Sequence, residues 1–127
     1  VIDIGAHAAT QAVADLILQY KFFFTNEEEL QAGIWEVLQT FGAEDWQREF
    51  SLSKEDRIDF FYPPMGIGIE AKISHPLSSL TRQVHRYCQH DNVRGIVIVT
   101  SKAQLTNLPE SISNKPVIMA HLITSNL

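Results

Sequence analysis

Three ionisable side chains sit inside apolar runs: Asp59 in Arg57-Ile58-Asp59-Phe60-Phe61-Tyr62, and Glu70 and Lys72 in Ile67-Gly68-Ile69-Glu70-Ala71-Lys72. Charge is expensive among Ile and Phe, so groups converging there need a reason. Pro63-Pro64-Met65-Gly66 between the runs has the residues of a tight turn, and the whole stretch reads as a hairpin. A bound divalent cation supplies the reason. Two carboxylates offer hard oxygen ligands and the backbone carbonyl of Ala71 a third. Lys72, two residues beyond Glu70, projects from the same face of its strand. The plain structural alternatives are an Asp59 paired with Arg57 or Lys54 and a simple Glu70–Lys72 ion pair.

The elements that must position these groups follow from hydrophobic spacing. Ala9, Val13, Leu16, Ile17 and Tyr20 recur at helical intervals, predicting an amphipathic helix from about Ala8 to Tyr20. A second helix is capped by Thr25 or Asn26, with Glu28 or Glu29 at the capping-box position. It carries the stripe Leu30, Ile34, Leu38, Phe41 and stops at Gly42. Strands are predicted at Trp46 to Leu52, Arg57 to Tyr62 and Ile67 to Ile73, forming a three-stranded antiparallel meander with Ser53-Lys54-Glu55-Asp56 as a polar turn. Pro76 and Ser78-Ser79 introduce a helix to about His90 with the stripe Leu77, Leu80, Val84, Cys88. Gly95 to Thr100 is an apolar run of the kind buried on both faces of a sheet. A short helix or turn around Leu105 to Ser113 and a last strand near Val117 to Ile123 complete an α/β sandwich.

An Asp in one strand followed by Glu-x-Lys in the next resembles the active-site hairpin of the PD-(D/E)xK nuclease superfamily. The resemblance covers roughly residues 26–100. It implies a restriction-endonuclease-like αβββαβ core, with a mixed central sheet flanked by helices. The chain is then one nuclease-like domain over 1–127, with a helical addition at 1–24 and a strand extension at 101–127. Gln83-x3-Tyr87 after the hairpin resembles the extra motif of RecB-like members, whose helix faces the catalytic hairpin; the bland alternative is a surface amide and a core-edge aromatic. The resemblance implies Mg²⁺ or Mn²⁺ held by Asp59, Glu70, the Ala71 carbonyl and Glu27. It implies catalytic roles for Glu27, Asp59, Glu70, Lys72, Gln83 and Tyr87 in hydrolysing DNA, or RNA, as an endonuclease. Glu27 is the match for the family's helical Glu because it aligns with Leu30, Ile34 and Leu38, whereas Glu28 and Glu29 point away. An acidic first turn complementing the helix dipole is the alternative for all three. Arg82, Arg86 and Lys102 are the candidates for phosphate contacts, or are simply solvated.

Composition sets limits around that reading. A 127-residue chain is one domain by size, and no apolar run approaches the roughly 20 residues that span a bilayer. Nothing resembles a signal peptide, and the expectation is a soluble, cytoplasmic protein with no membrane partner. The lone Cys88 excludes an internal disulfide and a multi-thiolate metal site, and reads as a small core residue. Val at the first position suggests trimming from something longer. The net charge of −5 opposes tight binding of a polyanion and favours the alternative of a catalytically inactive module for nucleic-acid binding or assembly. Double-strand cutting would require a homodimer, for which Phe22, Phe23 and Phe24 are a candidate interface.

Overall fold

The computed structural model describes residues 3–40 and 44–123. The stripe residue Phe41 and the helix stop at Gly42 therefore lie outside the described residues. Helix α1 (Ile4–Leu18) starts earlier than Ala8 because the Asp3 carboxylate caps it, accepting from Gly5 N at 2.8 Å and Ala6 N at 3.3 Å. Its buried face is Ala6, Thr10, Ala14 and Ile17, with Val13, Leu16 and Tyr20 alongside. Helix α2 (Glu27–Thr40) buries Leu30, Ile34, Val37 and Leu38. Then come β1 (Gln47–Ser51), β2 (Arg57–Tyr62), β3 (Ile67–Ala71), α3 (Leu77–Tyr87) and β4 (Gly95–Thr100). A 3-10 turn (Ala103–Thr106), β5 (Ser111–Ile112) and β6 (Lys115–His121) finish the described chain.

The strands form one six-stranded mixed sheet in the order β1-β2-β3-β4-β6-β5. The first three are an antiparallel meander, β4 joins β3 in parallel and β6 joins β4 in parallel, while β5 is antiparallel to β6. Alternation along β4 shows how the layers are built. Val97 and Val99 face a core shared with α1 and α2, and Ile96 and Ile98 face a second core with Leu80, Val84, Tyr87 and Cys88. The buried stripe of α3 therefore includes Tyr87, while Leu77 is only half-buried.

Small residues let α1 lie close to the sheet. A Cβ on Gly95 would overlap the Thr10 hydroxyl, so the α1–β4 approach requires glycine there. The hairpin turn between β2 and β3 uses Gly66 at φ 68°, closed by bonds from Met65 N and Gly66 N to Tyr62 O at 3.3 and 2.8 Å. Of the three consecutive phenylalanines, Phe22 and Phe24 pack against the core and Phe23 is exposed. No described helix is long and apolar enough to cross a membrane.

Candidate functional site: a buried carboxylate pair where two strands part

The paired register of β2 with β3 runs through Tyr62–Ile67, Phe61–Gly68 and Phe60–Ile69, then ends. The next residue on each strand is Asp59 and Glu70. Here the strands are joined by side chains: Asp59 N donates to Glu70 Oε1 at 3.2 Å, and Ala71 N donates to Asp59 Oδ2 at 2.8 Å. Each carboxylate thus satisfies a backbone donor of the opposite strand, which gives a buried and a half-buried acid a structural reason to coexist.

The pleat of β2 breaks at the same place. Ile58 packs in the α3-side core and Phe60 in the α1/α2-side core, although residues two apart should share a face. Across β1, the pairs Phe50–Ile58 and Arg48–Phe60 bracket Glu49, whose φ of 52° is left-handed. A non-glycine residue in that region costs on the order of 1–3 kcal/mol. The kink re-aims Asp59 into the gap between β2 and β3.

Glu70 is fully buried on the α3 side of the sheet. Lys72 Nζ lies 3.1 Å from Glu70 Oε2 and 4.0 Å from Glu27 Oε2. Tyr87 donates its hydroxyl to the Arg57 carbonyl at 2.8 Å, with Glu70 Oε1 at 3.4 Å from the same oxygen. Glu27 enters from the first turn of α2. Asn26 caps that turn by accepting from Glu29 N at 2.8 Å, and Glu29 folds back to accept from Thr25 N and Oγ1 at 2.7 and 2.6 Å. Glu28 is exposed, so only Glu27 turns inward. It accepts from Ile73 N at 3.2 Å and lies 3.8 Å from His75 Nδ1.

Burial dominates the electrostatics. Desolvation pushes Asp59 up to about 6, against the Ala71 amide and Lys72, which favour its charge. Desolvation and the neighbouring Asp59 push Glu70 up to about 8, with Lys72 again opposing. For Lys72 burial works against the ammonium, but Glu70, Glu27 and Asp59 outweigh it and hold its pKa above the ordinary value. Burial and the same carboxylates raise Tyr87, which stays a neutral hydroxyl. With values pushed to about 6 and about 8, the pair keeps a proton at neutral pH that two exposed carboxylates would have lost.

The donor set fits a hard divalent cation through Asp59, Glu70 and the Ala71 carbonyl. Glu27 stands at the Lys72 end of this set, its Oε1 accepting from Ile73 N and its Oε2 4.0 Å from Lys72 Nζ. Among the described residues no three His, Cys, Asp or Glu side chains converge as a metal cage. Gln83 is half-buried one turn before Tyr87 and takes no part in these contacts. Arg82 and Lys102 are exposed. Arg86 is also exposed, with its Nε donating to Asp56 Oδ1 at 3.0 Å.

Two participants gave no signal in the sequence. His75 is an ordinary loop residue until the fold sets it beside Glu27. Asp56, placed in a polar turn by its neighbours, is 7% exposed and also bonded to His90 Nε2 at 2.9 Å. Only its partners, some thirty positions away in the chain, reveal it. Comparison with family models, curated proteins and solved structures finds no match to this chain.

Proposed function

We propose that the chain is a divalent-metal-dependent nuclease that hydrolyses DNA phosphodiester bonds as an endonuclease, and that it belongs with the restriction-endonuclease-like folds of the PD-(D/E)xK superfamily. One observation carries the reading: Asp59, half-buried, and Glu70, buried, meet where the β2–β3 register ends, beside Lys72. The order helix, three antiparallel strands, helix, parallel strand supports it.

Bound Mg²⁺ or Mn²⁺ would polarise the phosphate and lower the pKa of a coordinated water. The chain's own groups do the rest. Asp59 and Glu70 hold their oxygens toward the gap because backbone amides of the opposite strands fix them. Lys72, anchored to Glu70, offers a proton-bearing ammonium to charge developing on the phosphate oxygens. Glu27 keeps the Lys72 end of the site in place through Ile73 N. Tyr87 closes the α3 side and keeps water from Glu70.

A second reading is an inactive module of the same fold. The 3.1 Å Lys72–Glu70 contact favours it, because that ion pair already compensates part of the buried charge without any metal. The deciding experiment incubates the protein with Mn²⁺ or Mg²⁺ and a panel of duplex, single-stranded, flap and branched DNA and of RNA, beside Asp59→Ala. Metal-dependent cleavage lost in the variant supports the nuclease. Metal binding without cleavage on any substrate supports the module.

A further inference from the structure

The end of α3 grips the start of β2 through a network that the proposed chemistry does not use. Asp56 immediately precedes β2, with its carboxylate 8% exposed. Arg86 Nε donates to one oxygen at 3.0 Å and His90 Nε2 lies 2.9 Å from the other. Its backbone is equally engaged: Asp56 N donates to Ser53 Oγ at 3.1 Å, and Asp56 O accepts from Leu52 N at 2.8 Å and Ser53 N at 3.2 Å. The next residue, Arg57, takes the Tyr87 hydroxyl on its carbonyl. Arg86, Tyr87 and His90 thus bind two consecutive residues of the strand that carries Asp59.

We propose that Asp56 is a positioning residue for the carboxylate pair: clamped by Arg86 and His90, it fixes Tyr87 against Arg57 and Glu70 and so holds Glu70 and Asp59 in their crossed hydrogen bonds. The path is short. Tyr87 touches Glu70 Oε1, Glu70 Oε1 accepts from Asp59 N, and Asp59 Oδ2 accepts from Ala71 N. A salt bridge serving only stability would have no need of this chain of contacts, and an exposed one would contribute little. Asp56 is held below the ordinary carboxylate range even though burial opposes its charge, because His90 and Arg86 outweigh burial.

The consequence for catalysis rests on the nuclease reading, but the positioning itself does not, and the test separates them. Amide hydrogen exchange is measured by NMR on wild type, Asp56→Asn, His90→Ala and His90→Gln, without metal. Asp56→Asn and His90→Ala should speed exchange at Asp59 and Ala71 about tenfold or more while the amides of β4 stay unchanged. His90→Gln, whose amide can donate in place of Nε2, should restore protection. Should Asp56→Asn fail to fold, the half-exposed His90 pair decides the matter alone. Unchanged exchange at Asp59 and Ala71, or an equal rise at β4, overturns the proposal. In cleavage assays the same variants should lower kcat more than they raise KM. A wild type that cuts nothing defeats the nuclease reading and leaves the exchange result standing.

Discussion

Replacing Asp59 by Asn should stabilise the metal-free protein while abolishing its response to metal. The folded-state pKa of Asp59 is pushed up from 3.8 to about 6, chiefly by desolvation. The folded state therefore binds a proton more tightly than the unfolded chain does. Below pH 3.8 both states are protonated and the group contributes no penalty. As pH rises through about 6 the penalty grows, and above that it is complete. At about 1.4 kcal/mol per pH unit, the interval corresponds to roughly 3 kcal/mol. Asn keeps an oxygen for the Ala71 amide but carries no charge to desolvate or to repel Glu70. In EDTA at pH 8, Asp59→Asn should melt on the order of 10 °C above wild type, and the gap should close toward pH 4. With millimolar Mg²⁺ or Mn²⁺ the order should narrow or reverse, because only wild type gains from binding linkage. The assay is thermal melting by circular dichroism over pH 4–8 with and without metal. A variant no more stable than wild type in EDTA at pH 8, or a gap that does not change with pH, would refute the buried-carboxylate reasoning.

Three further outcomes are expected. Glu27→Gln should impair cleavage more than Glu28→Gln or Glu29→Gln, since only Glu27 reaches Ile73 N and Lys72. Glu29→Gln should instead lower the melting temperature while leaving cleavage unchanged, through the bonds to Thr25. Lys72→Ala should lower cleavage by about two to three orders of magnitude, the roughly 3–4 kcal/mol worth of one well-placed group. Its stability deficit, read from urea melts, should widen as pH rises through about 8, where Glu70 would otherwise ionise beside the lysine. Metal binding should release a proton below about pH 8, because the cation replaces the proton shared by Asp59 and Glu70. Calorimetry in two buffers of different ionisation enthalpy measures that release, and identical apparent enthalpies would count against it.

The strands were the most legible part of the sequence. Arg57–Tyr62 and Gly95–Thr100 are apolar runs bounded by turn residues, and their observed limits coincide with that pattern. The start of α1 was hidden because its buried face is made of Ala6, Thr10 and Ala14, too small and too polar to register as a hydrophobic stripe. Asp59, Glu70 and Lys72 stood out as charges in apolar strands, and Glu27 through its helical phase. The kink that aims Asp59 did not stand out. A Glu at positive φ carries none of the glycine signature that marks such a turn. The Arg86–Asp56 contact was hidden for the complementary reason: a helix shows which face a residue occupies but not which distant loop returns to meet it. Tyr87 was placed at the stripe's edge, yet it is wholly buried because β2 lies over it and takes its hydroxyl on a backbone carbonyl.

The net charge of −5 becomes less of an obstacle, and more informative, once each charge has a place. Asp3 and Glu29 are engaged at helix starts, Asp56 in the α3 clamp, and Asp59 and Glu70 in the strand gap. Those acids answer local structural demands, so the overall charge is a poor measure of the field at the proposed cleavage site. Four of the ten Lys and Arg side chains are also engaged, however. Lys72 pairs with Glu70, Arg86 with Asp56, Arg94 with Asp3, and Lys115 donates to the His90 carbonyl. The other basic side chains, Lys21, Arg48, Lys54, Arg57, Arg82 and Lys102, are spread over the chain, and affinity drawn from displaced counterions scales with the number that reach one phosphate track. For a nuclease built this way, the metal contributes a large share of the positive charge that meets the substrate. Capture of long nucleic acid then falls to substrate shape, a second copy of the chain or a partner, while the buried pair governs the chemistry.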